Sequence, residues 1–151
     1  MSAVDQARLL LGFNEWANLR ILAAAEKLVP EHYSELVGRF THMLGTQRWW
    51  HAKWTATEYG QHAVPVTIAD AQAMFARSHD DLREFAGSLT EATLEHSEQW
   101  WGSEQELSVG ELIVQVVNHG TQHRSEIAVI LTERGCSPGD LDYLFFRLPR
   151  D

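Results

Sequence analysis

The chain has 151 residues, 44% hydrophobic and 22% charged, a composition that suits one globular domain over residues 1–151 with a single core. Twelve Lys and Arg against 21 Asp and Glu give a formal charge of -9. With lysine limited to Lys27 and Lys53 and the arginines scattered, there is no basic footprint for DNA or RNA, so nucleic acid is not expected as a partner. The longest purely apolar runs, Ile21–Ala25 and Ile127–Leu131, fall far short of the ~20 residues that span a bilayer, and Met1–Arg8 lacks the basic start of a secretory signal. The lone Cys136 excludes an internal disulfide framework and a thiolate-rich zinc site. A cytoplasmic, non-membrane protein is expected.

Apolar residues at Leu9, Leu10, Phe13, Trp16, Ala17, Ile21 and Leu22 follow helical spacing and predict a first helix over Asp5–Val29, stopped by Pro30. A second helix is predicted from near Glu31 to about Ala56, with Leu36, Phe40, Leu44, Gln47, Trp50 and Trp54 along one side. Thr55–Val66, with Gly60 and Pro65, reads as a connecting loop. Thr67 and Asp70 resemble a capping box that opens a third helix ending near Gly87-Ser88. Leu89–Leu107, with Trp100-Trp101, fits a loop, a short hairpin or a broken helix. Ser108-x-x-Glu111 is a second capping box, opening a last helix that continues to Arg134, with Gly135 at its C-cap and Pro138 beyond. The apolar tail Asp140–Leu148 is expected to pack back onto the body. Four long amphipathic helices without a strand pattern predict an all-α four-helix bundle, and the long connection between the second and third helices permits a crossover.

The last helix carries the chemistry. Its stripe reads Leu112, Val116, His119, His123, Ile127 and Ile130, so two histidines interrupt an apolar seam. A spacing of four puts both imidazoles on one face, about 6 Å apart along the axis, within reach of one metal ion. Arg124, Ser125 and Glu126 offer the alternative of ordinary hydrogen bonds to the same rings. No Glu follows the first His, so zinc-peptidase chemistry is not indicated. A further ligand must come from elsewhere. His32, His62, His79 and His96 read as solvated surface residues. Spacing does not choose between His42 and His51 of the second helix, although the small residues around His42 would let a neighbouring helix approach.

Three stretches resemble the DinB/YfiT-like family of small helical metalloproteins. They are Phe13-Asn14-Glu15-Trp16-Ala17-Asn18, then Thr41-His42-Met43-Leu44 with Trp50, and Asn118-His119-Gly120-Thr121-Gln122-His123-Arg124 with Gly135, Pro138 and Asp140-Leu141-Asp142. The resemblance implies a bundle with a long crossover between the second and third helices, a homodimer, and a divalent metal ion held by His42, His119 and His123. Nickel or zinc is the implied metal, with manganese and iron as alternatives. Where relatives often follow the second His with Arg-Gly-Gln, this chain has Arg124-Ser125-Glu126, which places a carboxylate three residues from His123.

Three neutral imidazoles leave coordination positions open, the arrangement of a catalytic site. The resemblance to thiol-dependent transferases implies transferase or hydrolase chemistry on a small-molecule electrophile, with a low-molecular-weight thiol as partner. Glu126 is the candidate catalytic carboxylate, Glu15 and Asn18 are candidate accessory groups, and Trp16, Trp49 and Trp50 are candidate pocket walls. The rivals are a non-catalytic metal- or ligand-binding stress-response protein and a structural dimer with core histidines. Cys136 reads as an ordinary thiol.

Overall fold

The computed structural model describes residues 1–100 and 102–148; Trp101 lies outside them. Four long helices dominate: α1 (Ala3–Ala25), α2 (Ser34–Trp54), α3 (Ile68–Ser88) and, after a short α4 (Glu91–Glu95) and a hairpin, α5 (Val109–Glu133). A last turn, α6 (Tyr143–Arg147), follows. Among the described residues no helix is long and apolar enough to cross a membrane.

The helix starts follow their caps. Thr67 accepts from the Asp70 backbone N–H and Ser108 from that of Glu111, and each acid bonds back to its cap residue, closing both predicted capping boxes. A third, Ser2 with Asp5, starts α1 two residues earlier than the apolar spacing indicated. Helix α1 ends at Ala25, short of Val29, because Pro30 opens a 3-10 turn (Pro30–His32) and the chain must turn before it. Helix α2 correspondingly begins at Ser34 rather than Glu31 and ends at Trp54 rather than Ala56, which lies at φ 51°. In 89–107, Thr90 caps α4, and β1 (Ser97–Gln99) pairs antiparallel with β2 (Glu106–Ser108), Glu98 opposite Leu107.

Two apolar clusters fix the helix directions. One gathers the C-terminal part of α1 (Ile21, Leu22), the N-terminal parts of α2 (Leu36, Phe40) and α3 (Ala71, Phe75), and the C-terminal part of α5 (Ile127, Leu131). The other joins Ala7 and Leu11 to Leu82, Phe85, Val109 and Ile113 at the opposite end. Helices α2 and α3 are therefore parallel neighbours. Residues 55–67 must return along the bundle, a rod of about 30 Å, which a dozen extended residues can span. This is the predicted crossover. Its strap is tied down at Pro65, which is buried and whose carbonyl accepts a hydrogen bond from the Tyr33 hydroxyl at 3.2 Å. The tail folds back as expected, with Tyr143 and Phe146 against Phe13 of α1 at ring separations of 5.3 and 5.9 Å.

Between the two apolar ends lies a buried polar layer to which all four long helices contribute. Asn14 and Asn18 of α1 both donate to Gln47 Oε1 of α2, at 2.8 and 2.9 Å. Gln47 Nε2 donates to Ser78 of α3. Arg124 of α5 donates through one nitrogen to Asn14 Oδ1 and Asn18 Oδ1, both at 2.8 Å, and through the other to Thr121 and the Val117 carbonyl. Burial pulls the Arg124 guanidinium pKa down to about 10, since no carboxylate bonds to it among the described residues. A buried layer of this kind discriminates between registers, because a slipped helix strands several polar atoms at about 1–3 kcal/mol each.

Candidate metal centre

The polar layer sets the rotation of α5. Gly120 and Arg124, spaced by four, face the core between Val116–Val117 and Ile127. His119 and His123 precede them by one residue, so they lie about 100° round the helix, at the partly exposed flank beside α2. This corrects the expected seam: the histidines border the core stripe, and Gly120 with Arg124 fills it. Arg124 therefore does not bond to the histidines. It points inward, whereas Ser125 bonds to the Thr121 carbonyl. On α2, Met43, Leu44 and Gln47 are buried, which leaves His42 and Thr46 on the flank that faces α5.

Three histidines meet in the groove between these helices. One ligand atom each from His42, His119 and His123 lies within 4.8 Å of the others, and the ring centroids are 4.5–4.9 Å apart. Nitrogens sharing one ion at ~2.1 Å must lie within about 4.2 Å of one another, so modest ring rotations bring the set to bonding distance. The donors fit a divalent ion: three imidazoles from two helices, with His42 exposed and the other two partly so. His51, the open alternative, lies on another part of α2, its ring nearly perpendicular to that of Phe85 at 6.3 Å between centroids.

Protonation favours the same use. Burial chiefly, with the neighbouring His123 and His42, pushes the His119 pKa down to about 4 against the opposing pull of Glu126. Its ring is neutral at pH 7, and Thr46 Oγ1 sits 3.1 Å from its Nε2. His123 Nδ1 lies 3.1 Å from Glu126 Oε2. An ionised carboxylate only accepts, so Nδ1–H donates to it, and in the neutral tautomer this leaves Nε2 as the ligand atom. The same Glu126 oxygen accepts from Arg39 Nε at 3.0 Å. The hydrogen bonds from His123 and Arg39 hold the Glu126 carboxyl below the usual range. Glu126 thus orients His123.

A hollow of about 430 Å³ opens beside His42 and His119, walled by Trp49, Trp50, Tyr59 and Trp100. Trp50 is buried against Leu112 and Val116, and Trp100 of the hairpin stacks on it at 6.2 Å between centroids.

Several expected roles fall elsewhere. Trp16 packs on Phe13 and Phe146, away from this hollow. Glu15 pairs with Arg83 of α3 at 3.3 Å, and Asn18 belongs to the polar layer. His79, read from its charged neighbours as a surface residue, is 2% exposed. Its Nε2 lies 3.1 Å from Asn18 Nδ2, which donates to it, and burial above all lowers its pKa to about 4. His32 and His96, by contrast, do sit at the surface beside Glu35 and Glu98. Sequence reasoning passed over Arg39. Its position one turn before His42 was a signal, but the pairing with Glu126 spans 87 residues. Cys136 packs against the first apolar cluster, and its sulfur makes a long contact, 3.7 Å, to the Arg134 carbonyl.

The family model described as DinB family matches residues 1–150. No curated protein matches the chain, and no solved structure matches it.

Proposed function

This chain belongs to the DinB family, and on that premise we propose that it is a metal-dependent enzyme. In this reading His42, His119 and His123 hold a divalent ion, nickel or zinc ahead of manganese or iron. The reaction is attack of a thiol, or of water, on a small electrophile: the new S–C or O–C bond replaces the bond to a leaving group, which departs with its electron pair, and the nucleophile's proton passes to solvent. The observation that carries the reading is the convergence of three imidazoles beside an aromatic hollow open to solvent.

A bound divalent ion supplies Lewis acidity, which at neutral pH makes a thiol or water a stronger nucleophile. The chain's own residues do the rest. The lowered pKa of His119 keeps its ring neutral, so one ring nitrogen has a lone pair available without first releasing a proton. Glu126, held in place by Arg39, fixes the ring of His123 and acts as a positioning residue. Trp49, Trp50 and Trp100 offer flat walls to an apolar electrophile, and Thr46 and Gln115 offer hydrogen bonds to its polar end. The homodimer implied by the resemblance and the cytoplasmic location expected from the sequence stay part of the proposal. The rival, a non-catalytic metal or ligand binder acting in stress, draws on one observation: no carboxylate lines the hollow among the described residues.

Elemental analysis of the purified protein tests the site. Near-stoichiometric nickel or zinc, lost in His42→Ala and His119→Ala, is expected; full occupancy in both variants would sink it. Conjugation of a low-molecular-weight thiol to a chromogenic aryl halide, lost on chelation and restored by the metal, separates the enzyme from the binder.

A further inference from the structure

Away from the histidines, the crossover strap leaves two hollows beneath it, of about 530 and 280 Å³, which share Arg48, Tyr59 and His62. The strap packs on itself there, with the Tyr59 and His62 rings 4.9 Å apart. Arg48 of α2 is partly buried between the hollows. In a chain of net charge -9, this guanidinium makes no hydrogen bond or ion pair among the described residues. Burial and, next, the like charge of Arg77 on α3 weaken its hold on its proton; Tyr59 and Asp81 oppose them. Asp81 and Glu58 line only the smaller hollow, and no carboxylate lines the larger one among the described residues.

A half-buried arginine with no hydrogen-bond or ion-pair partner among the described residues is electrostatically incomplete, and its planar fork matches a carboxylate. The larger hollow pairs that fork with apolar wall from Leu44, Ala63 and Pro65, and with the Tyr59 ring. We propose that the larger hollow is a binding site for a small organic carboxylate, its anionic group on Arg48 and its apolar body against Leu44, Tyr59 and Pro65. Tyr59 also borders the metal-side hollow, but none of the three histidines of the metal centre lines this one. The site therefore stands or falls independently of the metal reading.

Benzoate, with neutral benzamide as its isosteric control, is the probe. In an amide-resolved NMR titration of the full chain, benzoate should give saturable shifts at Leu44, Tyr59 and His62. Benzamide should bind at least tenfold more weakly. Arg48→Gln should cost tenfold or more in benzoate affinity, Arg48→Lys should retain part of it, and His119→Ala should leave it unchanged. Equal binding of benzoate and benzamide, undiminished binding in Arg48→Gln, or shifts confined to Trp49 and His119 would each overturn the assignment. Arg48→Gln leaves every described hydrogen bond intact, and an unchanged amide spectrum away from the hollow verifies its fold.

Discussion

The same substitution, glycine to alanine, should act with opposite sign in α2 and α5. Alanine is favoured over glycine within a helix by about 1 kcal/mol. At Gly38 of α2 an added Cβ meets nothing within 4 Å, so Gly38→Ala should gain up to that amount. At Gly120 the Cβ would lie 2.7 Å from one Arg124 guanidinium nitrogen and 2.8 Å from Asn14 Oδ1. That nitrogen makes both 2.8 Å bonds to Asn14 and Asn18. Restoring ordinary contact at ~3.5 Å requires the guanidinium to retreat by almost 1 Å, which carries both bonds beyond hydrogen-bonding distance. Each charge-assisted bond contributes roughly 1.5–3 kcal/mol. Allowing for partial relaxation and the helix-propensity gain, Gly120→Ala should destabilise the fold by about 2–4 kcal/mol. Urea unfolding is the assay: the midpoint should fall for Gly120→Ala and rise for Gly38→Ala, with the slope unchanged. A Gly120→Ala protein as stable as the wild type, or more so, would refute the claim that the polar layer leaves no room for a methyl group on α5.

Two further outcomes follow from the same geometry. Asn18 donates to His79 Nε2, so the folded ring must stay neutral, with its pKa lowered from 6.5 to about 4. The unfolded chain protonates near pH 6.5 and the folded one does not. Stability from this residue is therefore present above pH 6.5 and is lost as pH falls towards 4, by about 3 kcal/mol in all. In His79→Gln, whose amide oxygen can still accept from Asn18, the urea midpoint measured from pH 7.5 to 4.5 should decline less steeply; parallel profiles would refute this. Glu126→Gln should weaken metal binding by roughly 10–100-fold in competition with a chromophoric chelator, because His123 and Arg39 lose their shared carboxylate. Its thermal midpoint should barely move, since Glu126 is partly exposed, and unaltered affinity would show that Glu126 does not position His123.

What was legible in the sequence is local chemistry. The caps at Thr67 and Ser108 bond within three residues, so their helices could be read directly. Ser2 with Asp5 carries the same signal. The hairpin could not be read so: three-residue strands of mostly polar side chains show no alternation, and Ser97 meets Ser108 only through pairing across the intervening loop. Spacing left His42 and His51 tied because the choice depends on which flank of α2 faces α5, a matter of how four helices are arranged. Reading His79 from its charged neighbours and Arg124 as a partner of the histidines leaves no place for a polar interior. The middle of this bundle is polar, and a buried Arg124 with Gly120 shifts the inward stripe of α5 by one residue. That shift turns His119 and His123 out of the interior to a partly exposed flank, where His119 lines a solvent-open hollow. Imidazoles sealed inside the bundle would face neither an ion arriving from solvent nor a substrate. The polar layer that hid the phase of α5 from a reading of apolar residues is thus what gives the three histidines their access.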